Sequence, residues 1–193
     1  AKVVTLSDSR GMIRCEEGLD KERLEKIKTL KLEKRGRLGD LAGSMTGIEY
    51  DDGATPWRVP CDVAMPCATQ NELDGDDAKS LIENDVQAVV EGANMPSTDT
   101  AMQRFRDAGL LFAPGKAANA GGVAVSGFEQ SQNAVRMRWD RDEVDSRLRD
   151  TIKTIHSKCV DEMQRGENVD YVDAANRAGF RRVADAMLAQ GIH

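Results

Sequence analysis

The sequence lacks any apolar run approaching the ~18 consecutive residues that a membrane-spanning helix needs. Its N-terminus has neither the charged segment nor the apolar stretch of a secretory signal, so the expectation is a soluble, cytoplasmic protein. Cys-x-x-Cys pairs are missing as well. Cys15, Cys61, Cys67 and Cys159 are scattered, and with only His156 and His193 to join them they give no metal-site spacing. Reduced thiols are expected, with Cys61 and Cys67 as small buried hydrophobes on either side of an apolar stretch. Basic residues are not in excess: 27 face 33 acidic ones, for a net charge of −6. Such a surface repels a phosphate backbone and argues against nucleic acid as a partner. What remains is a chain of 193 residues, long enough for one ordinary domain or for a domain with a helical appendage, and either an enzyme or a binding module.

Along the chain, Ala1 to Leu6 reads as a buried strand ending in the polar turn Ser7-Asp8-Ser9-Arg10-Gly11. Asp20 is a candidate N-cap for a half-exposed helix to Arg35, with Leu24, Ile27 and Leu30 at helical spacing. A short helical stretch at Leu38 to Ala42 and a weak edge strand at Ile48-Glu49-Tyr50 follow, before Pro56-Trp57 marks a connection. Apolar runs at Cys61 to Met65, Val86 to Val90 and Leu110 to Ala113 then alternate with helical segments at Asp74 to Glu83 and Ser97 to Asp107. Alternation of that kind predicts βαβ units and a mostly parallel sheet, an α/β fold. After Gly115 only helices are expected: Asn119 to Met137, a long one striped by Val144, Leu148, Ile152, Ile155, Cys159 and Met163, and Asp173 to Ala189 ended by Gly191. The division is thus an open α/β part over residues 1–120 and a helical segment over 121–193. Trp57 and Trp139 read as packing residues rather than ligand platforms.

Three turns close the strands of the α/β part: Pro66-Cys67-Ala68-Thr69-Gln70-Asn71, Glu91-Gly92-Ala93-Asn94-Met95-Pro96, and the stretch from Pro114 to Gly122. Ligands of open α/β sheets bind outside the carboxyl ends of the strands, so these turns should converge. Asn94 and Asn119 each carry an amide that donates and accepts at once, which suits a carboxamide or a ribose hydroxyl. Asn119 also reads as an N-cap for the helix it precedes. Gly121 and Gly122 would either let a ligand approach the backbone or simply allow close packing.

The strings CDVAMPCATQNEL, EGANMPST, FAPGKAANAGGVAVSGFEQSQNA and VADAMLAQG resemble hexameric, NADP-linked glutamate dehydrogenases of the Glu/Leu/Phe/Val dehydrogenase superfamily, and the resemblance runs the length of the chain. It implies the coenzyme-binding portion of an enzyme that converts L-glutamate reversibly to 2-oxoglutarate and ammonia, with hydride passing to the nicotinamide, in a homohexamer. It implies that Asn94 and Asn119 contact the nicotinamide side of the coenzyme, that Ala68, Thr69 and Gln70 lie along the same cofactor, that Ser126 meets the distal carboxylate of glutamate, and that Val123 lines the side-chain pocket. The family's acid–base lysine and aspartate have no match in this chain. They belong to a substrate domain that would precede it, and the glycine-rich turn after the first Rossmann strand, which cradles the pyrophosphate, is missing too. With strand order 3-2-1-4-5-6 that first strand is central, so the chain is expected to be part of a longer polypeptide.

Coenzyme choice is open on the residues alone. Asp8 stands where an acid usually accepts the ribose 2′-hydroxyl of NAD. Ser9 and Arg10 follow it, and Lys31, Lys34, Arg35 and Arg37 could neutralise the 2′-phosphate of NADP. The resemblance adds the SDS string with Lys31, Lys34 and Arg37, and the reading favours NADP over NAD. Two alternatives stand beside this function: a non-catalytic nucleotide-binding module, and a branched-chain or aromatic amino-acid dehydrogenase of the same superfamily. Ser126 favours glutamate over the latter, because a hydroxyl in the side-chain pocket suits a carboxylate.

Overall fold

The structure, a computed structural model, describes residues 1–163 and 170–191. His193, one of the two histidines weighed as a metal ligand, lies outside the described residues. The chain divides into two compact units: Ala1–Cys61 with Glu83–Asp85, and Asp62–Ile82 with Val86–His193.

The first unit is built on a three-stranded antiparallel sheet, in which β1 (Thr5–Asp8) and β2 (Gly11–Arg14) form a hairpin and β3 (Glu49–Asp52) pairs with the other side of β2. This corrects the expected buried strand over Ala1 to Leu6. The strand starts at Thr5, only half-buried, and Val3 is left 45% exposed. The cause is local: Asp8 Oδ1 accepts the N–H of Arg10 at 3.0 Å. The chain therefore reverses within two residues and delivers the unforeseen apolar pair Met12-Ile13 to the middle of the sheet.

The helix expected from Asp20 begins there, since Asp20 Oδ1 caps the N–H of Arg23 at 2.7 Å and α1 spans Lys21–Lys28. A wider π-type turn over Thr29–Glu33 ends it. Ile27 and Leu30 on its inner side join Ile13, Leu38, Leu41 and Met45 in one core cluster, each worth about 1.5–3 kcal/mol for a fully buried side chain. Leu38 and Leu41 come from a single 3₁₀ turn, Leu38–Leu41. Trp57 is buried in the short turn Pro56–Arg58, as a packing residue should be.

The second unit follows the expected alternation. Strands β4 (Val63–Ala64), β5 (Ala88–Val90) and β6 (Leu111–Ala113) pair in parallel in that spatial order, joined through α2 (Gly75–Glu83) and α3 (Asp99–Asp107). Val89 is fully buried between its neighbours, and Phe105 of α3 stacks on Phe112 of β6 with ring centroids 5.5 Å apart. Among the described residues four helices follow: α4 (Gly115–Ala118), α5 (Gly121–Val135), α6 (Arg141–Asp161) and α7 (Tyr171–Gln190). The predicted stripe on α6 is the face turned inward, with Cys159 buried and Val144, Leu148, Ile152 and Ile155 half-buried. Trp139 sits edge-on to Phe128 and under the Arg147 guanidinium, 4.1 Å from the ring centre.

The thiols differ from expectation in place. Cys15 and Cys159 are the buried ones, whereas Cys61 is half-buried and Cys67 exposed, because β4 is only two residues long and both flanking cysteines fall in turns. Among the described residues no helix is long and apolar enough to cross a membrane, and no group of three or more His, Cys, Asp or Glu is arranged to hold a metal ion.

Candidate functional site

The three turns after β4, β5 and β6 meet. The N–H groups of Gly92 and Ala93 donate to the carbonyl of Pro66, at 2.9 and 3.1 Å, and the N–H of Asn71 donates to Met95 O at 3.0 Å. Leu73 and Ser97 then run side by side in a parallel bridge. This closeness depends on glycine. A Cβ on Gly92 would lie 2.5 Å from Cys67 Sγ, and one on Gly115 would lie 2.7 Å from the carbonyl oxygen of Ala93.

At the centre stand two asparagines. Asn119 Nδ2 donates to Ala93 O at 2.9 Å and to Asn94 Oδ1 at 2.8 Å. The orientation of both amides follows from this, because a backbone carbonyl can only accept: Asn119 must face it with its NH₂, and Asn94 must meet that NH₂ with its oxygen. Asn119 Oδ1 and Asn94 Nδ2 are then left over, one acceptor and one donor side by side. A primary carboxamide presents the complementary pair. Asn94 is exposed and Asn119 half-buried.

Asn119 does not cap α5. It closes the C-terminal end of α4, while Ala120 precedes α5 without any side-chain bond. The side chain is spent on Asn94 and Ala93, which is why it is unavailable for the helix. Gly121 and Gly122 divide the two roles considered for them: Gly121 packs against the α6 stripe, its Cβ position 3.5 Å from Leu148 Cδ1, whereas Gly122 opens into free space. Farther along α5, Val123 and Ser126 share one helix face and are both exposed, Val123 at 73%.

Two acids escaped the sequence reading. Glu72 Oε1 accepts the N–H of Ala68 at 2.8 Å, shaping the turn in which Ala68, Thr69 and Gln70 are all exposed. Glu91 is only 6% exposed, and its carboxylate accepts the N–H of Gly115 at 2.6 Å and that of Ser97 at 3.3 Å, binding the second turn to the third. The available signal was an acid directly after the apolar run Ala88-Val89-Val90, at the point where a strand enters a turn. A carboxylate there is surrounded by free backbone donors.

The basic cluster lies in the first unit. Asp8 Oδ2 accepts from Lys31 Nζ at 2.8 Å and from the N–H of Leu38 at 2.9 Å, and Arg37 Nη1 donates to Ser9 Oγ at 2.9 Å. Partial burial pushes the Asp8 carboxyl upward, but the hydrogen bonds from Lys31, Leu38 and Arg10, together with the Lys31 charge, outweigh it and hold the pKa at about 2. With both oxygens engaged, Asp8 anchors Lys31 and the Arg37-Leu38 backbone beside Ser9 rather than standing free to accept a diol. Lys34 is not brought to this cluster. It lines a groove with Lys21, Glu25 and Leu41.

Residues 1–191 match the Glutamate/Leucine/Phenylalanine/Valine dehydrogenase family. The chain belongs to that family. It is 53% identical over 192 residues to the NADP-specific glutamate dehydrogenase of Escherichia coli (strain K12), with all of this chain and 43% of that protein covered. It is 52% identical over 192 residues to a glutamate dehydrogenase of Bacteroides thetaiotaomicron, again covering 43% of the relative. Among solved structures, the glutamate dehydrogenase of Plasmodium falciparum superposes with a TM-score of 0.93 at 42% identity, covering 100% of this chain and 42% of that one. The chain thus spans well under half the length of the relatives it matches. The amide pair lies where the turns that follow the three parallel strands meet.

Proposed function

We propose that this chain is the coenzyme-binding part of an NADP-linked glutamate dehydrogenase, which interconverts L-glutamate with 2-oxoglutarate and ammonia by hydride transfer. The observation that carries this reading is the Asn94–Asn119 pair, whose outward donor and acceptor match a nicotinamide carboxamide. When bound, the coenzyme supplies the hydride acceptor. The chain's own residues hold and orient it: Asn94 and Asn119 fix the carboxamide, and Ala68, Thr69 and Gln70 border the same cleft. In the first unit, Ser9, Lys31 and Arg37 offer a hydroxyl and two cations to a 2′-phosphate, which favours NADP over NAD. Lys34 adds only to the general positive field.

Residues 1–120 are the nucleotide-binding portion in this reading, and 121–193 lead towards the substrate domain. Ser126 and Val123 on α5 contact the glutamate side chain, the serine through its distal carboxylate. The acid–base lysine and aspartate are supplied by that other domain, and no residue of this chain is catalytic. A cytoplasmic homohexamer is the proposed assembly.

The test is coenzyme titration of the full-length enzyme. Asn119→Ala removes a donor and an acceptor at once and is expected to weaken NADPH at least tenfold, about 1.4 kcal/mol, while NADH binds more weakly than NADPH to the unaltered enzyme. Undiminished affinity in Asn119→Ala refutes the carboxamide role.

A further inference from the structure

Glu91 is an unusual group to find where it is. The residue is only 6% exposed, both carboxylate oxygens accept backbone N–H groups in the bonding pattern of an ionised acid, and among the described residues no lysine or arginine forms an ion pair with it. A buried charge without a counter-ion is costly, and two neutral donors offset only part of that cost. Beside it, the hydroxyl oxygen of Ser97 is buried without a hydrogen-bond partner, although the Ser97 N–H is already bound to Glu91. The carboxylate also lies close to the Asn119 amide. The space that a Cβ on Gly115 would occupy is 3.3 Å from Glu91 Oε2 and 3.2 Å from Asn119 Nδ2.

The two oxygens brace two turns at once, each accepting one backbone N–H. A fixed negative charge has a further effect if the neighbouring ligand exists in two charge states. The nicotinamide ring is such a ligand, cationic when oxidised and neutral when reduced. Resting on the proposed role of Asn94 and Asn119, we propose that Glu91 is a specificity-determining residue whose charge favours the oxidised over the reduced coenzyme, and so biases the binding equilibrium of the dehydrogenase toward NADP⁺. The bracing bonds to Gly115 and Ser97 keep that charge in register with the amides.

The experiment measures dissociation constants of NADP⁺ and NADPH for the full-length enzyme, its Glu91→Gln variant and, in parallel, Asn119→Ala. Glutamine keeps an acceptor and the shape but removes the charge. NADP⁺ is expected to weaken about tenfold more than NADPH in Glu91→Gln, the scale of one charge–charge interaction in a partly buried site. Equal losses for both forms, or none, overturn the proposal and leave Glu91 a brace. Asn119→Ala should weaken both forms alike; if it alters neither, the amide-pair reading itself fails and takes the inference with it. Should Glu91→Gln not fold, Glu91→Asp decides. With the charge retained, the ratio of the two constants stays within twofold of the unaltered enzyme even as both affinities fall, and a ratio that collapses with the charge still present overturns the proposal.

Discussion

Replacing Asp8 with asparagine separates the two meanings that an acid at this position can have. The side chain is 10% exposed and accepts three hydrogen bonds, from Lys31 Nζ, Leu38 N and Arg10 N. Lowering its pKa from 3.8 to about 2 corresponds to at most roughly 2.5 kcal/mol of preferential stabilisation of the charged form. Asparagine keeps one acceptor oxygen, so the expected loss in Asp8→Asn is about 1–2 kcal/mol at neutral pH. The sign follows from the direction of the shift. A depressed folded-state pKa contributes stability that is fully present above the unfolded value near 3.8 and is lost as pH falls through about 2. Native-state hydrogen exchange of the full-length enzyme reads the local effect at the Leu38 and Arg10 amides. Protection there should drop about 5–30-fold in the variant at pH 7, and the gap between the two proteins should narrow as the pH is lowered from 4 toward 2. Unchanged protection at pH 7, or a gap that stays constant across that window, refutes the assignment of Asp8 as the charged anchor of Lys31 and the Arg37-Leu38 backbone.

Two further outcomes concern ligand recognition in the full-length enzyme. Arg37→Ala removes the guanidinium hydrogen-bonded to Ser9 and is expected to weaken NADPH about tenfold while leaving NADH within about twofold, read by titration with both coenzymes; equal losses rule out a phosphate contact. Ser126→Ala should raise the KM for glutamate and 2-oxoglutarate by about tenfold or more, as expected for a lost hydrogen bond to a charged group, and unchanged steady-state kinetics reject that role.

The second unit was far more legible in the sequence than the first, for a physical reason. The parallel strands are short unbroken apolar runs, and Ala88–Val90 and Leu111–Ala113 stand out against the charged helices beside them. The antiparallel hairpin of Thr5–Asp8 and Gly11–Arg14 has no such contrast. Its turn is a two-residue Ser9-Arg10 reversal held by the Asp8 carboxylate, a side-chain bond that periodicity does not register. The same blind spot hid Glu91 and Glu72. Both are acids whose structural meaning lies in backbone donors 4 to 24 residues away in the chain, and a window of local pattern sees only a charge in a turn.

Asn119 shows how far residue type alone can lead. An asparagine ahead of a helix reads as a cap, because a short side chain usually serves the nearest free N–H. Here the helix it was expected to cap starts without a side-chain cap, and the amide turns back to Ala93 and Asn94. Forgoing a cap costs about 0.5–2 kcal/mol, and neither hydrogen bond Asn119 forms instead is needed to complete a helix or a strand. What those bonds accomplish is to fix two amides in mutual register with one donor and one acceptor turned outward. Under the proposed function, that mutual register is what would present both groups to a planar, amide-bearing ligand at the carboxyl ends of the parallel strands.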